Sequence, residues 1–408
     1  MFREEIALFA DDLEAIYKDL HRHPEPGFAE KRTAAIVAAE LKKYGLDVQE
    51  GVALTGVVGT LDSGRPGKTV MLRADMDCLR VRELSGCDYA SENPGLMHAC
   101  GHDTHVTMLL GAARILAQHK EAFSGRIKFI FQPAEEQIDP SMVETVRAAG
   151  YDGGGGAGFM IQEGAMEGVD ACIAMHNQPQ LPVGTVEISR KNACASSNHF
   201  EITITGKGGH GARPHEAVDP VPALCEAVQA VLLLPAREIN TLEPVVLSVG
   251  TVSTPDSVWN AVAEKACFTG SFRTFSSEVQ KTLNRRIKET VEGIAAAHQC
   301  TAEVNVFCSF EATVNDEEMS AFAAETCAEV LGKENVYYSD KPVMVSEDAG
   351  LYLEKVPGVY FWIGSGDPAH GLHNPNMLPD LKVLTLGAEV HATNAVRLLE
   401  KLNRVVQE

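Results

Sequence analysis

The chain contains no apolar stretch near the roughly 18 residues needed to cross a bilayer. Its opening residues, MFREEIALFADDLEAIYKDLHRH, lack an apolar signal core and read as an acidic amphipathic helix, so neither secretion nor membrane insertion is expected. Positive charge is scarce. Against 56 Asp and Glu stand 35 Lys and Arg, giving a formal net charge of −21 and a pI near 5.1. That balance argues against nucleic acid and anionic membranes as partners but leaves room for a local basic pocket. Disulfide spacing is missing as well. The ten cysteines (78, 87, 100, 172, 194, 225, 267, 300, 308 and 327) form no CxxC pair, and are expected to be reduced thiols of a cytoplasmic protein.

What is present is an ordinary globular composition, 45% hydrophobic and 22% charged over 408 residues, enough for two domains. Helical patterns cover about residues 3–21 and 28–44. Near-continuous apolar runs follow at 56–61, 69–74, 127–131, 171–175 and 359–363, alternating with helices. Such runs predict an α/β fold with a largely parallel sheet covered by helices. Ligands in such sheets gather beyond the carboxyl ends of the strands, where Asp75, Glu135, Glu136 and His176 all fall. The tract Gly153–Gly156 reads as a flexible loop. From 188 to 310 the texture changes to period-2 strands in the order β-α-β-β-α-β. This predicts an inserted, open-faced α+β domain, with residues 1–187 and 311–408 forming the catalytic domain.

The densest chemistry lies in residues 98–105, HACGHDTH, which run into an apolar helical pattern. Cys100 and His102 are spaced to reach one ion, and thiolate with imidazole and carboxylate suits Zn²⁺, Mn²⁺ or a similar divalent cation. Alone, the pair would also fit a buried cysteine beside a capping histidine; Glu136 and His176 at strand ends favour metal. Two adjacent carboxylates after a buried strand need two jobs, so Glu136 is assigned as ligand and Glu135 as general base. His176 is a ligand candidate, and one of His370 and His373 is another. One of Asp75 and Asp77 is expected to orient a ligand imidazole. His98 is left structural, with Asp103 and His105 supporting the ligands or capping the helix. A glycine-rich loop, GKGGHGARPH, carries His210 at its apex.

Taken in order, LHRHPEPGFAE, LRADMD, HACGHDTH, FQPAEE, AMHNQPQLPVG, GKGGHGARPHEAVDP and GLHNPNM resemble the dinuclear-metal aminoacylase/carboxypeptidase family. They most resemble its amidohydrolase branch of hippurate, N-acetyl-diaminopimelate and indole-acetyl-amino-acid hydrolases. The resemblance implies two divalent ions per subunit, manganese or zinc, with cobalt or nickel as further candidates. It also implies a lid domain that forms homodimers or higher homo-oligomers. By motif, Cys100 would bridge the ions, and His102, Glu136, His176 and His373 would complete the shell. Glu135 would be the base, His210 would polarise the substrate carbonyl, and Asn260 and Arg273 would meet the substrate's carboxylate end. The chain departs from the family pattern at Cys78, Arg80, Ala261–Ala263 and Met377.

The expected function is hydrolysis of the amide bond of an N-acyl amino acid by a metal-activated water, with Glu135 as base. A dipeptidase or carboxypeptidase of the same family is the nearest rival. A cysteine nucleophile at Cys100 with His102 as base, and a non-catalytic small-molecule-binding or assembly subunit, are rivals of other classes.

Overall fold

The five apolar runs become five adjacent strands. In the computed structural model, which describes residues 1–151 and 155–405, an eight-stranded sheet has the order Asp47–Val52, Gly56–Asp62, Arg126–Gln132, Thr69–Asp75, Ala171–Gln178, Gly358–Gly364, Val186–Ser189 and Val336–Ser339. The middle four, from Arg126–Gln132 to Gly358–Gly364, run parallel. Gly56–Asp62 and Val186–Ser189 lie antiparallel to their inner neighbours. Every residue of Thr69–Asp75 and of Gly358–Gly364 is buried, which explains why these segments read as unbroken apolar runs. The outermost strands, Asp47–Val52 and Val336–Ser339, are mostly exposed or half-buried and carry no such signal.

This sheet belongs to one of two compact units, comprising Met1–Ala193, Val314–Lys341 and Asp348–Glu408. Its helices include His102–Gln118, nearly all buried, and the long Lys382–Val405 packed against it. The opening helix is not continuous. Leu8 and Phe9 donate to the carbonyls of Glu5 and Ile6, three residues back, and this tightened turn separates Arg3–Ala7 from Ala10–Arg22. Of the glycine tract, Gly153 and Gly154 lie outside the described residues.

The second unit, Cys194–Thr313 with Pro342–Glu347, contains an antiparallel four-stranded sheet ordered Val245–Ser253, Lys265–Thr274, Ser197–Thr205, Thr301–Phe310. Two helices, Pro220–Glu238 and Ser277–Ala297, cover one face, burying Phe200, Ile202, Phe268, Leu283 and Ile287 in a separate core. Each such side chain contributes about 1.5–3 kcal/mol of burial. The helices start where the sequence caps them: Asp219 accepts from the Val221 amide and Ser276 from that of Val279.

Candidate metal centre

The parallel strands bring their chemistry to one edge. Asp75 closes its strand; Arg126–Gln132 leads through Pro133 and Ala134 to Glu135 and Glu136; His176 and Asn177 sit near the end of Ala171–Gln178. Helix His102–Gln118 begins beside them, preceded by Gly101 at φ +83°. Glycine is required there, because a Cβ would meet the Asn177 side chain at 2.6–2.8 Å.

Cys100, His102 and Glu136 each place a ligand atom within 4.8 Å of the other two. Cys100 Sγ is 3.4 Å from His176 Nε2, and His373 Nε2 is 2.9 Å from Glu136 Oε1. His373 is held there in a left-handed conformation (φ +66°), its amide donating to the Ala99 carbonyl. His370 is engaged elsewhere, on Asp367 at 3.0 Å. The other ring nitrogen of each buried histidine is anchored. His102 Nδ1 pairs with Asp77 Oδ1 at 3.1 Å, and His176 Nδ1 with the Asn177 carbonyl at 2.7 Å, which turns each Nε2 inward. Asp77 serves twice, since its other oxygen accepts from the Glu136 amide at 2.9 Å.

His105 and Asp75 also lie within 4.8 Å of His102 and His176, but other partners claim them. His105 bonds Asp75 through Nδ1 and Asn177 through Nε2, while Asp75 Oδ2 accepts from Arg73 at 2.7 Å. These hydrogen bonds tie the pair to Arg73 and Asn177 beside the cluster.

The field at the centre is that of a cation site. Burial opposes a charge on His102, yet Asp75 and Asp77 outweigh it and carry its pKa up to about 10. Burial, reinforced by Glu136 and Glu135, pushes the Cys100 thiol well up, while burial and His105 hold His176 well down and neutral. His102 Nε2 is buried without a hydrogen-bond partner among the described residues, while Glu136 Oε1, also buried, faces the His373 imidazole at 2.9 Å. An orphaned buried polar atom costs about 1–3 kcal/mol. Such an imidazole nitrogen converging with a carboxylate, a thiol and two further imidazoles fits the donor set of a divalent metal.

Glu135 is 6% exposed, with its carboxylate within 4.8 Å of that of Asp348. The remaining candidates belong to the second unit. His210 and Asn260 are exposed and meet on a short ribbon in which Gly209–His210 pairs with Ala261–Val262 and the Gly211 amide donates to the Asn260 carbonyl. Arg273 lies apart from them, on the strand Lys265–Thr274, half-buried, with Nη1 lacking a hydrogen-bond partner among the described residues.

This arrangement has known counterparts. Residues 71–396 match the model of Peptidase family M20/M25/M40. The chain belongs to this family. It is 36% identical over 395 residues, 95% of each chain, to thermostable carboxypeptidase 2 of Saccharolobus solfataricus. It is 35% identical over 402 residues, 97% of this chain and 87% of the relative, to IAA-amino acid hydrolase ILR1-like 4 of Arabidopsis thaliana. Among solved structures, the Bacillus subtilis YXEP protein, described as a dinuclear metal binding peptidase from the M20 family, superposes with a TM-score of 0.82 at 30% identity, covering 97% of this chain and 99% of that one. As an M20 member the chain is an amide-bond hydrolase.

Two supports lie beneath this M20 centre: Arg73, whose position in the sequence suggests pairing with Asp75 or Asp77, and Glu30, to which the sequence assigns no role. Arg73 is 1% exposed and donates to Asp75, Gln132 and Asp348 at 2.7–2.9 Å, tying three chain segments together beneath the strand ends. Glu30, fully buried, accepts from the Ala134 amide at 2.8 Å and from Thr55 Oγ1 at 2.7 Å. It thereby fixes Ala134 at φ +48°, just before Glu135 and Glu136. Burial and Asp77 raise its pKa to about 8. The HPEPG segment reinforces the same turn, for a Cβ on Gly27 would sit 2.0 Å from the Gln137 carbonyl oxygen. The one available signal was the position of Glu30 at the end of a Pro-rich segment ahead of a helix.

Proposed function

We propose that this M20 chain is a metal-dependent hydrolase that cleaves the amide bond of N-acyl amino acids. The observation that carries the reading is the orphaned, buried His102 Nε2 set among Cys100, Glu136, His176 and His373. These five residues would hold two divalent ions, manganese or zinc, and Asp75 and Asp77 orient the imidazoles. The dinuclear reading draws support from the B. subtilis neighbour, and the substrate class from the Arabidopsis relative. When bound, the ions acidify water and polarise the scissile carbonyl.

The chain's own residues supply the rest. Glu135 takes a proton from the attacking water and returns it to the departing amine nitrogen. His210 donates to the substrate's carbonyl oxygen as negative charge develops there. Asn260 and Arg273 bind the carboxylate end, a role supported by the unsatisfied Nη1 of Arg273. The second unit acts as a lid and as a homodimer contact, supported by the exposed Leu242, Val252, Val258 and Trp259. A cytoplasmic location is supported by cysteines whose spacing shows no disulfide framework.

A metal-replete hydrolysis panel that varies acyl group and amino acid independently, with dipeptides alongside, tests the reading. Turnover of acetyl, benzoyl or indole-acetyl amino acids above dipeptides is the expected result. Preference for peptides would favour the carboxypeptidase reading that the S. solfataricus relative suggests. No hydrolysis across all classes would leave a non-catalytic binder, and activity insensitive to chelators would leave the Cys100 nucleophile.

A further inference from the structure

A second group of metal-binding side chains lies outside the centre just described. His21, Glu83 and Cys87 each place one ligand atom within 4.8 Å of the other two. His21 is 1% exposed, and its ring lies 5.5 Å from those of Tyr17 and Tyr89, which limit its rotation. Nδ1 lies 2.6 Å from Asp103 Oδ2, and Nε2 lies 3.2 Å from Glu83 Oε1. With the proton on Nδ1 given to Asp103, the lone pair of Nε2 points at Glu83 and Cys87. A carboxylate fixing the far nitrogen of an imidazole is the usual support of a metal-bound histidine.

Glu83 is held in a matching way. Its Oε2 accepts from the Ser91 amide at 2.6 Å, which leaves Oε1 facing His21 Nε2 and 3.8 Å from Cys87 Sγ. Ser85 Oγ reaches both Glu83 Oε1 and Cys87 Sγ. Cys87 is half-buried. Glu83 also lines an open cleft of about 430 Å³, with Arg82, Ser91, Asn93 and Leu96.

We propose that His21, Glu83 and Cys87 form a further Zn²⁺ site, with Asp103 orienting His21, separate from the centre built on Cys100 and His102. Thiolate, imidazole and carboxylate together suit Zn²⁺ rather than a hard cation. Charge also balances. Zn²⁺ displaces one proton from the His21 imidazolium and one from the Cys87 thiol, so the ion together with His21, Glu83, Cys87 and Asp103 carries the same net charge as those four side chains did before binding, and two protons go to solvent. Occupied, the site ties the loop carrying Glu83 and Cys87 to helix Ala10–Arg22 and, through Asp103, to the turn that carries His102.

The test is a comparison of zinc content. Full-length protein, Cys87→Ala and Glu83→Gln are dialysed to equilibrium against the same free Zn²⁺ near neutral pH, and bound zinc is counted per chain. Alkylation of Cys87 by iodoacetamide is followed by peptide mass with and without Zn²⁺. The wild type should hold one more ion than each variant, and Zn²⁺ should slow alkylation of Cys87 by roughly tenfold or more. Equal zinc in wild type and Cys87→Ala, with an alkylation rate indifferent to Zn²⁺, would overturn the site in favour of an imidazolium clamped between two carboxylates. Because the count is a difference, it does not depend on how many ions the other centre holds. Cys87→Ala alters a half-exposed loop residue, and circular dichroism confirms that both variants fold.

Discussion

Two histidines carry opposite circumstances in the two units. His102 is wholly buried, anchored by Asp77 and aimed at a thiol and a carboxylate, so its own unit accounts for its orientation and its charge. His210 stands exposed on a two-residue ribbon strand, where its Nδ1 accepts from the Ala212 amide at 3.1 Å. The buried cluster is preorganised by its surroundings. The ribbon is a presented group whose partner must arrive, and this predicts how each region fails.

The largest effect is expected at the buried end. Glu135→Gln should lower turnover by about 10³–10⁴-fold while bound metal stays unchanged by elemental analysis; a loss of only tenfold would remove Glu135 as the base. His210→Ala should lower kcat by about 10²–10³-fold and leave both metal content and thermal stability as they were. If metal were lost as well, the contrast between a preorganised cluster and a presented histidine would fail. Asp77→Asn should weaken metal affinity by about 10–100-fold, because it frees the His102 ring and loosens the Glu136 amide together; competition with a chelator of known affinity measures it.

The smallest expected effect lies near the cluster but outside it. Although burial opposes charge on His21, Asp103 and Glu83 raise its pKa to about 10, above the unfolded value near 6.5. The sign follows from proton linkage: a raised histidine pKa adds stability that is fully present below about 6.5 and is lost as pH rises through about 10. Without added zinc, urea unfolding should show this decline in the wild type, and His21→Gln should lack that part of the slope. An unchanged slope would mean that Asp103 and Glu83 do not hold His21 charged.

Most of the sheet was legible because burial on both faces leaves an apolar run, as in Thr69–Asp75 and Gly358–Gly364. The edge strands were not, since Asp47–Val52 exposes every residue but Val48 and Val52 and resembles a loop. The break after Ala7 was hidden for a different reason: the pattern of Ile6, Phe9 and Leu13 suits a continuous helix, and only the backbone bonds at Leu8 and Phe9 reveal the tightened turn. At the centre, spacing ahead of a helix nominated Cys100 and His102 and strand-end position nominated Glu136 and His176, and the fold brings these four side chains together. Periodicity could not choose between His370 and His373, because the choice rests on a left-handed backbone and on Asp367, which only the folded loop displays. Glu30 and Arg73 act through hydrogen bonds to segments distant in sequence, and no local pattern encodes such partners.

The strand Gly358–Gly364 lies between Ala171–Gln178 and Val186–Ser189, and His373 follows it by a short loop. On the ribosome, therefore, the strand bearing His176 waits with an open edge while the whole second unit emerges and folds. The last proposed metal-binding side chain, His373, is made only after the whole of the run Cys194–Thr313. A chain stalled before that point lacks one member of the proposed set of five, whatever the state of the other four.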